Sequence, residues 1–322
     1  MKRISVSFLL FVLLYSPLFG HNKKGSPTPP KRAHHSLVYD EANQLVIMTG
    51  GSTPLDGGNS GMMFNDLWSY DGKVWKSMGT AGDKRSGMAL AYDTKRKKLY
   101  SFGGWSDGNS LAELRVLENG DWVTLSNHPE MKASEPGLVY DVARDRLITF
   151  GGSPGMGVVN NMTWEWDGTS WNKFAGLGPD GRQAFAMVYD DKRKKTIIYG
   201  GMGTGPDQVF GDTWEFDGMS WNKISKAGPG KRLSAGYVYD SKRGLVMIFG
   251  GVSSDGFAND TWSWDGMEWK KLADTGPAKR AMGYMAYDKQ RDRIVLFGGR
   301  LGWPNDTNDT WEWDGKEWKE VK

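Results

Sequence analysis

Ala184-Phe185-Ala186-Met187-Val188-Tyr189 runs into a polar turn, Asp190 to Lys195; Thr196-Ile197-Ile198-Tyr199 follows and stops at Gly200-Gly201. The first segment is short and apolar, and the second is β-branched and aromatic, so both predict strands. Gly-Gly marks a place where the backbone needs a positive φ or a close neighbour. A variable stretch, Met202 to Gly211, comes next. Thr213-Trp214-Glu215-Phe216 then alternates, Asp217-Gly218 is a hairpin signal, and Trp221 to Ile224 predicts a fourth strand.

This unit recurs along the chain. Gly-Gly pairs start at Gly50, Gly103, Gly151, Gly200, Gly250 and Gly298, with spacings of 53, 48, 49, 50 and 48 residues. A Tyr-Asp pair precedes each one: Tyr39, Tyr92, Tyr140, Tyr189, Tyr239 and Tyr287, each followed by Asp. A Trp follows each: Trp75, Trp122, Trp171, Trp221, Trp269 and Trp318. Four antiparallel strands repeated at about fifty residues read as a propeller blade. The expected fold is all-β, a six-bladed propeller with blades at 32–78, 85–125, 133–174, 182–224, 232–272 and 280–322. The chain enters at a first strand and ends after a fourth. Closure is therefore expected without strand exchange, by apolar packing of blade one on blade six.

The apolar run into Gly-Gly, the aromatic strand after it and the spaced Trp resemble the kelch family over residues 32–322. The flavour of Asn308 to Gly315, Asn-Asp-Thr-Trp-Glu-Trp-Asp-Gly, is similar to that of secreted bacterial kelch proteins. The resemblance implies a kelch-type propeller, a fold that hosts many functions. The Trp-Asp pairs at Trp166, Trp264 and Trp313 do not indicate Trp-Asp repeats, which need a Gly-His per blade and a shorter period.

The chain has 322 residues, 41 Lys+Arg, 38 Asp+Glu, four His and no Cys. Disulfides, thiolate chemistry and Cys-ligated metals are excluded, and a His-rich metal site is not expected. No cofactor is expected. Lys2-Arg3, the apolar stretch Ile4 to Tyr15 and the break at Pro17 to Gly20 read as an export signal, residues 1–20. A Pro-rich spacer, 21–31, follows. The expected location is secreted, periplasmic or cell-envelope, with no membrane span after cleavage. Removing Lys2 and Arg3 leaves 39 basic against 38 acidic residues, too balanced for binding nucleic acid by bulk charge.

An Arg stands seven residues before the Tyr at Arg32, Arg85, Arg182, Arg232 and Arg280, whereas the third repeat has Ala133. These Arg are expected at one end of the channel. One reading is an anion site, since guanidinium forks suit carboxylates. The other pairs each Arg with a third-strand Asp: Asp66, Asp212, Asp260 or Asp309. Two Trp stand off the repeat, Trp105 after its Gly-Gly and Trp303 in Arg300-Leu301-Gly302-Trp303-Pro304. They suit stacking on a partner or sugar, or packing on their own blade. Tyr284 replaces a small residue and is expected to project into the channel. The expected ligand face therefore carries Arg85, Arg182, Arg232, Arg280, Trp105, Trp303, Arg300 and Tyr284, with no catalytic or metal residue assigned.

Blade two has Arg115 where its siblings have Trp, and the approach to blade three holds His128, Glu130 and Glu135, candidates for acid–base work. The basic first turns, such as Lys95 to Lys98 and Lys192 to Lys195, read as solvated hairpin tips. Two functions fit: an interaction module binding a protein or glycan, or a sugar-modifying enzyme of sialic-acid-mutarotase type. Copper oxidases resembling galactose oxidase are excluded by the missing Cys.

Overall fold

The Tyr-Asp turn fixes how each blade starts. In the computed structural model, which describes residues 28–54, 61–205, 208–224 and 228–322, each turn Asp accepts backbone N–H groups just downstream. Asp93 takes those of Lys95 and Arg96, and Asp141 those of Ala143 and Arg144. The chain reverses through one left-handed residue, such as Lys97 or Lys194, and enters the second strand. The Asp-Gly turns use the same device: Asp217 accepts from Met219 and Ser220 around Gly218, whose φ is +93°.

Six four-stranded antiparallel sheets result, each from one continuous stretch of chain, with a short two-stranded hairpin set between the second and third strands of blades two and five. In blade one, Ser36–Asp40 pairs with Leu45–Thr49, from Ser36 opposite Thr49 to Asp40 opposite Leu45. The first strand thus stays in its own blade, and no strand is exchanged at closure. The other innermost strands are Ala89–Asp93, Gly137–Asp141, Ala186–Asp190, Gly236–Asp240 and Tyr284–Asp288. Each touches the next in sequence, and the last touches the first, so the ring is closed.

One junction is repeated around that ring. The second Gly of each pair donates its N–H to the next blade's carbonyl at the Arg position, at 2.8–2.9 Å. Gly51 donates to Arg85, Gly104 to Ala133, Gly152 to Arg182, Gly201 to Arg232, Gly251 to Arg280 and Gly299 to Arg32. A Cβ on Gly200 would lie 2.4 Å from the Arg232 carbonyl oxygen, so this approach needs glycine. Closure is not apolar alone. Leu37, Val46 and Trp75 do pack on Val295 and Phe297. Beside them, Trp75 Nε1 donates to Thr310 Oγ1 at 2.9 Å and Tyr70 donates to Glu312 at 2.9 Å.

The Trp bond is itself periodic. Trp221, Trp269 and Trp318 donate to Thr163, Thr213 and Thr261 of the preceding blade, each at 2.9 Å. Trp171 faces a blade with Leu114 at that position, and its Nε1 is buried without a partner. Thr163→Val keeps the volume and strands the Trp221 donor. It should lower the unfolding free energy by about 1–3 kcal/mol. A chemical-denaturation curve unchanged within error would show that the bond contributes nothing.

The proposed signal, residues 1–20, lies outside the described residues. The spacer's end does not stand clear of the propeller, as a stretch with nothing to bury would. Pro29 is buried, and its carbonyl accepts from Asn308 of blade six at 3.2 Å. Among the described residues no helix is long and apolar enough to cross a membrane.

Candidate functional site

The residues before each first strand and those after each Gly-Gly meet at one end of the propeller. Ser86 bridges Trp105, and Ala281 bridges Arg300, within their own blades. The five Arg stand at this end but are 0–4% exposed. Arg32 forks onto Asp66 with two bonds of 2.6 Å, and Arg280 onto Asp309 at 2.6 and 2.8 Å. Arg182 and Arg232 pair likewise with Asp212 and Asp260. Each also donates to the carbonyl of its own blade's first Gly. The Asp then accepts the indole N–H of the third-strand Trp: Trp68, Trp214, Trp262 and Trp311. The guanidinium donors thus serve the blade. As buried side chains, Arg85, Arg182, Arg232 and Arg280 do not form the open cationic ring expected for an anion site.

Blades two and three alter this triad as a unit. In blade two, Arg85 pairs with Glu113 and Asp83, and Arg115 takes the Trp position and reaches Asp83 at 2.6 Å. Burial and the charge of Arg85 push the Arg115 guanidinium down to about 10. In blade three, Ala133 replaces the Arg and Met162 the Asp, leaving the Trp164 Nε1 without a partner. Met131 and Met162 pack there instead. His128 lies against the Trp164 ring at 5.0 Å. Glu135 pairs with His34 at 2.7 Å, and Glu130 is exposed on a short 3-10 turn. His128, Glu130 and Glu135 therefore act in separate settings rather than as one acid–base group.

The axis is narrow at this end. The residue two past each Arg position is left-handed in all six blades: His34, Gly87, Glu135, Ala184, Ser234 and Met282. Five backbone bonds link them around the axis: Gly87 to His34, Glu135 to Gly87, Ser234 to Ala184, Met282 to Ser234 and His34 to Met282. Tyr284 lies beneath, against His35 and Tyr237. Burial first, then the Glu135 charge, raises both phenols, Tyr237 to about 12.

Around this closed mouth stand the connections between second and third strands. In blade two Trp105–Ser106 pairs with Asn109–Ser110, and in blade six Arg293–Gly302 pairs with Asn305–Trp313. These segments are β-hairpins rather than open loops. Trp303 is 70% exposed at its tip and Trp105 is 38% exposed. Arg300 lies 4.5 Å from the Trp303 ring centre and is itself held by Asp306 at 2.8 Å. Met62, Met156, Val158 and Leu301 are also exposed in these connections.

At the other end the first turns are latches. Arg243 pairs with Asp240 in its turn and with Asp292 of the next blade, each at 2.7 Å. Arg96 does the same with Asp93 and Asp145. Arg144, Arg193 and Arg291 lie against Gly218, Gly266 and Gly72 of the following blades. Blade one has Asn43 at this position, and Gly120 of blade two has no such cover.

Between these latches the axis opens into a cavity of about 460 Å³. Its mouth carries the residue after each turn Asp: Glu41, Thr94, Val142, Asp191, Ser241 and Lys289. The sequence reading passed over this ring. Its signal is present, because this position differs in every repeat while the Asp before it never does.

A family model described as the KLHDC2/KLHL20/DRC7 Kelch-repeats domain matches residues 141–322.

Proposed function

The chain belongs to the kelch-repeat family, and from that premise we propose that it is an interaction module whose protein partner sits on the crown of second-to-third-strand hairpins. The observation that carries this reading is the set of apolar side chains exposed there: Met62, Trp105, Met156, Val158, Leu301 and Trp303. Isolated exposed apolar groups need no explanation, but a set gathered on one end marks a contact surface. Trp303 is the anchor, because Arg300 and Asp306 brace its ring from beneath and lower the entropy lost on binding. The buried Arg–Asp–Trp triads hold the blades that carry these hairpins.

The reading includes export, on the strength of Lys2-Arg3 and the apolar run that follows. A glycan is the second candidate ligand, supported by the exposed Trp303 ring, on which a sugar can stack. The mutarotase-type alternative lacks such support. Among the described residues the carboxyl that burial raises, Glu215, stands on a third strand and does not line the central cavity.

The test places a photo-crosslinking residue at position 303 or 156 and, for comparison, at 219 or 267, exposed tips of the opposite end. An extract of the source organism should give one adduct mass from the first pair and none from the second. Adducts confined to 219 and 267 would overturn the reading. Adducts with glycan but no protein at 303 would replace the protein partner by a sugar.

A further inference from the structure

We infer that the cavity at the turn end is a second site, for a small amphiphilic cation whose apolar body enters the axis and whose ammonium group stays at the mouth. It is independent of the crown, which lies at the opposite end. A cavity of about 460 Å³ is within the range that small ligands occupy. It is also blind. Tyr237 lines it and equally lines the next hollow along the axis, which measures only about 10 Å³, room for about one water.

The depth of the cavity is apolar. The second residue of each innermost strand forms one wall: Leu37, Leu90, Leu138, Met187, Tyr237 and Met285. Three of the tyrosines nearer the mouth have their hydroxyls engaged by turn acids. Tyr239 donates to Asp190 at 2.7 Å, Tyr140 to Asp145 at 2.8 Å and Tyr287 to Asp292 at 3.0 Å. They therefore offer ring carbon to an occupant.

Charge enters only at the rim. Lys289 and Glu41 neutralise each other at 2.8 Å. Asp191 is exposed and makes no ion pair among the described residues. Lys192, its neighbour in sequence, lies along Gly244 of the adjacent turn and does not line the cavity. Of the other turn lysines, Lys95 is engaged by Asp145 and Lys242 by Asp292, and Lys97 and Lys194 do not line the cavity. The uncompensated charge at the opening is thus negative, above a wall that favours hydrocarbon. An ammonium group on a short alkyl or aromatic body satisfies both features, whereas a carboxylate on the same body satisfies only the second.

Titration calorimetry of the full chain with octylammonium, and separately with octanoate, tests this. Octylammonium should saturate one site and bind about five- to tenfold more tightly than octanoate, as expected for one solvent-exposed charge acting with opposite sign on the two probes. Asp191→Asn should remove that preference while leaving the thermal melt unchanged. Val142→Trp, which places an indole across the mouth, should weaken octylammonium by about tenfold or more. Equal affinity for the two probes would overturn the assignment, as would absence of saturable octylammonium binding. So would binding that neither substitution alters. Should Val142→Trp fail to fold, the exposed Asp191→Asn change still decides between these outcomes.

Discussion

Arg182→Ala should lower the unfolding free energy by about 3–5 kcal/mol, the range for breaking a buried ion pair by removing one partner. The change strands the Gly200 carbonyl and removes the fork from Asp212. Burial on its own would raise the Asp212 carboxyl, but bonds from Arg182, Trp214 and Lys223 bring it down to about 2. A depressed carboxylate gives stability that is present above its unfolded value and lost as pH falls through the folded one. The gap between wild type and variant should therefore be full at pH 7 and narrow between about pH 4 and pH 2, leaving the part due to the stranded Gly200 carbonyl. Blade three shows how the chain itself tolerates an Ala here, since Met162 takes the place of the acid. Arg182→Ala combined with Asp212→Met should accordingly cost less than Arg182→Ala alone. Denaturant melts of the three variants check this, and a double variant worse than the single would contradict it.

Gly200→Ala should be comparably severe, about 3–5 kcal/mol from a non-glycine left-handed residue plus overpacking. Its φ is +67°, and the new Cβ would meet the Arg232 carbonyl oxygen at 2.4 Å. That carbonyl accepts the Gly201 N–H that joins blades four and five. Relieving the clash moves the very backbone that makes the junction. Gly205→Ala supplies the control, because φ there is +100° but a Cβ meets nothing within 4 Å. Melting temperatures of the two variants separate the steric cost from the conformational one. Equal losses would mean that the close approach between blades is unimportant.

The frame was legible because each blade repeats its chemistry in order. Tyr-Asp, Gly-Gly and Asp-Gly each impose a local backbone geometry that neighbours do not override. The structural pairing of Arg with third-strand Asp was also readable, since a buried cation repeated in several blades needs a repeated anion. The axial ring was not. His34, Gly87, Glu135, Ala184, Ser234 and Met282 share a left-handed φ without sharing a residue type. Their conformation is set by hydrogen bonds to neighbouring blades, which no local pattern encodes. The turn Arg were hidden in a different way. Arg96 and Arg243 stand among lysines and read as solvated charge, although each bridges two blades through specific carboxylates. The hairpin in blade six was obscured by Gly302 and Pro304, which read as loop residues yet sit at the tip of two long paired strands.

The most direct measurement of the central claim, a partner on the hairpin crown, is the affinity of the captured partner for three variants of the chain. Trp303→Ala should weaken binding by about 2 kcal/mol or more, about thirtyfold, as expected for a braced aromatic anchor. Trp105→Ala, less exposed, should weaken it by a smaller factor. Charge reversal of Lys194 and Lys195, on the latch end, should leave it unchanged. Unaltered affinity in both Trp variants, with a large loss on reversing the two lysines, would place the partner on the opposite end of the propeller and contradict the account.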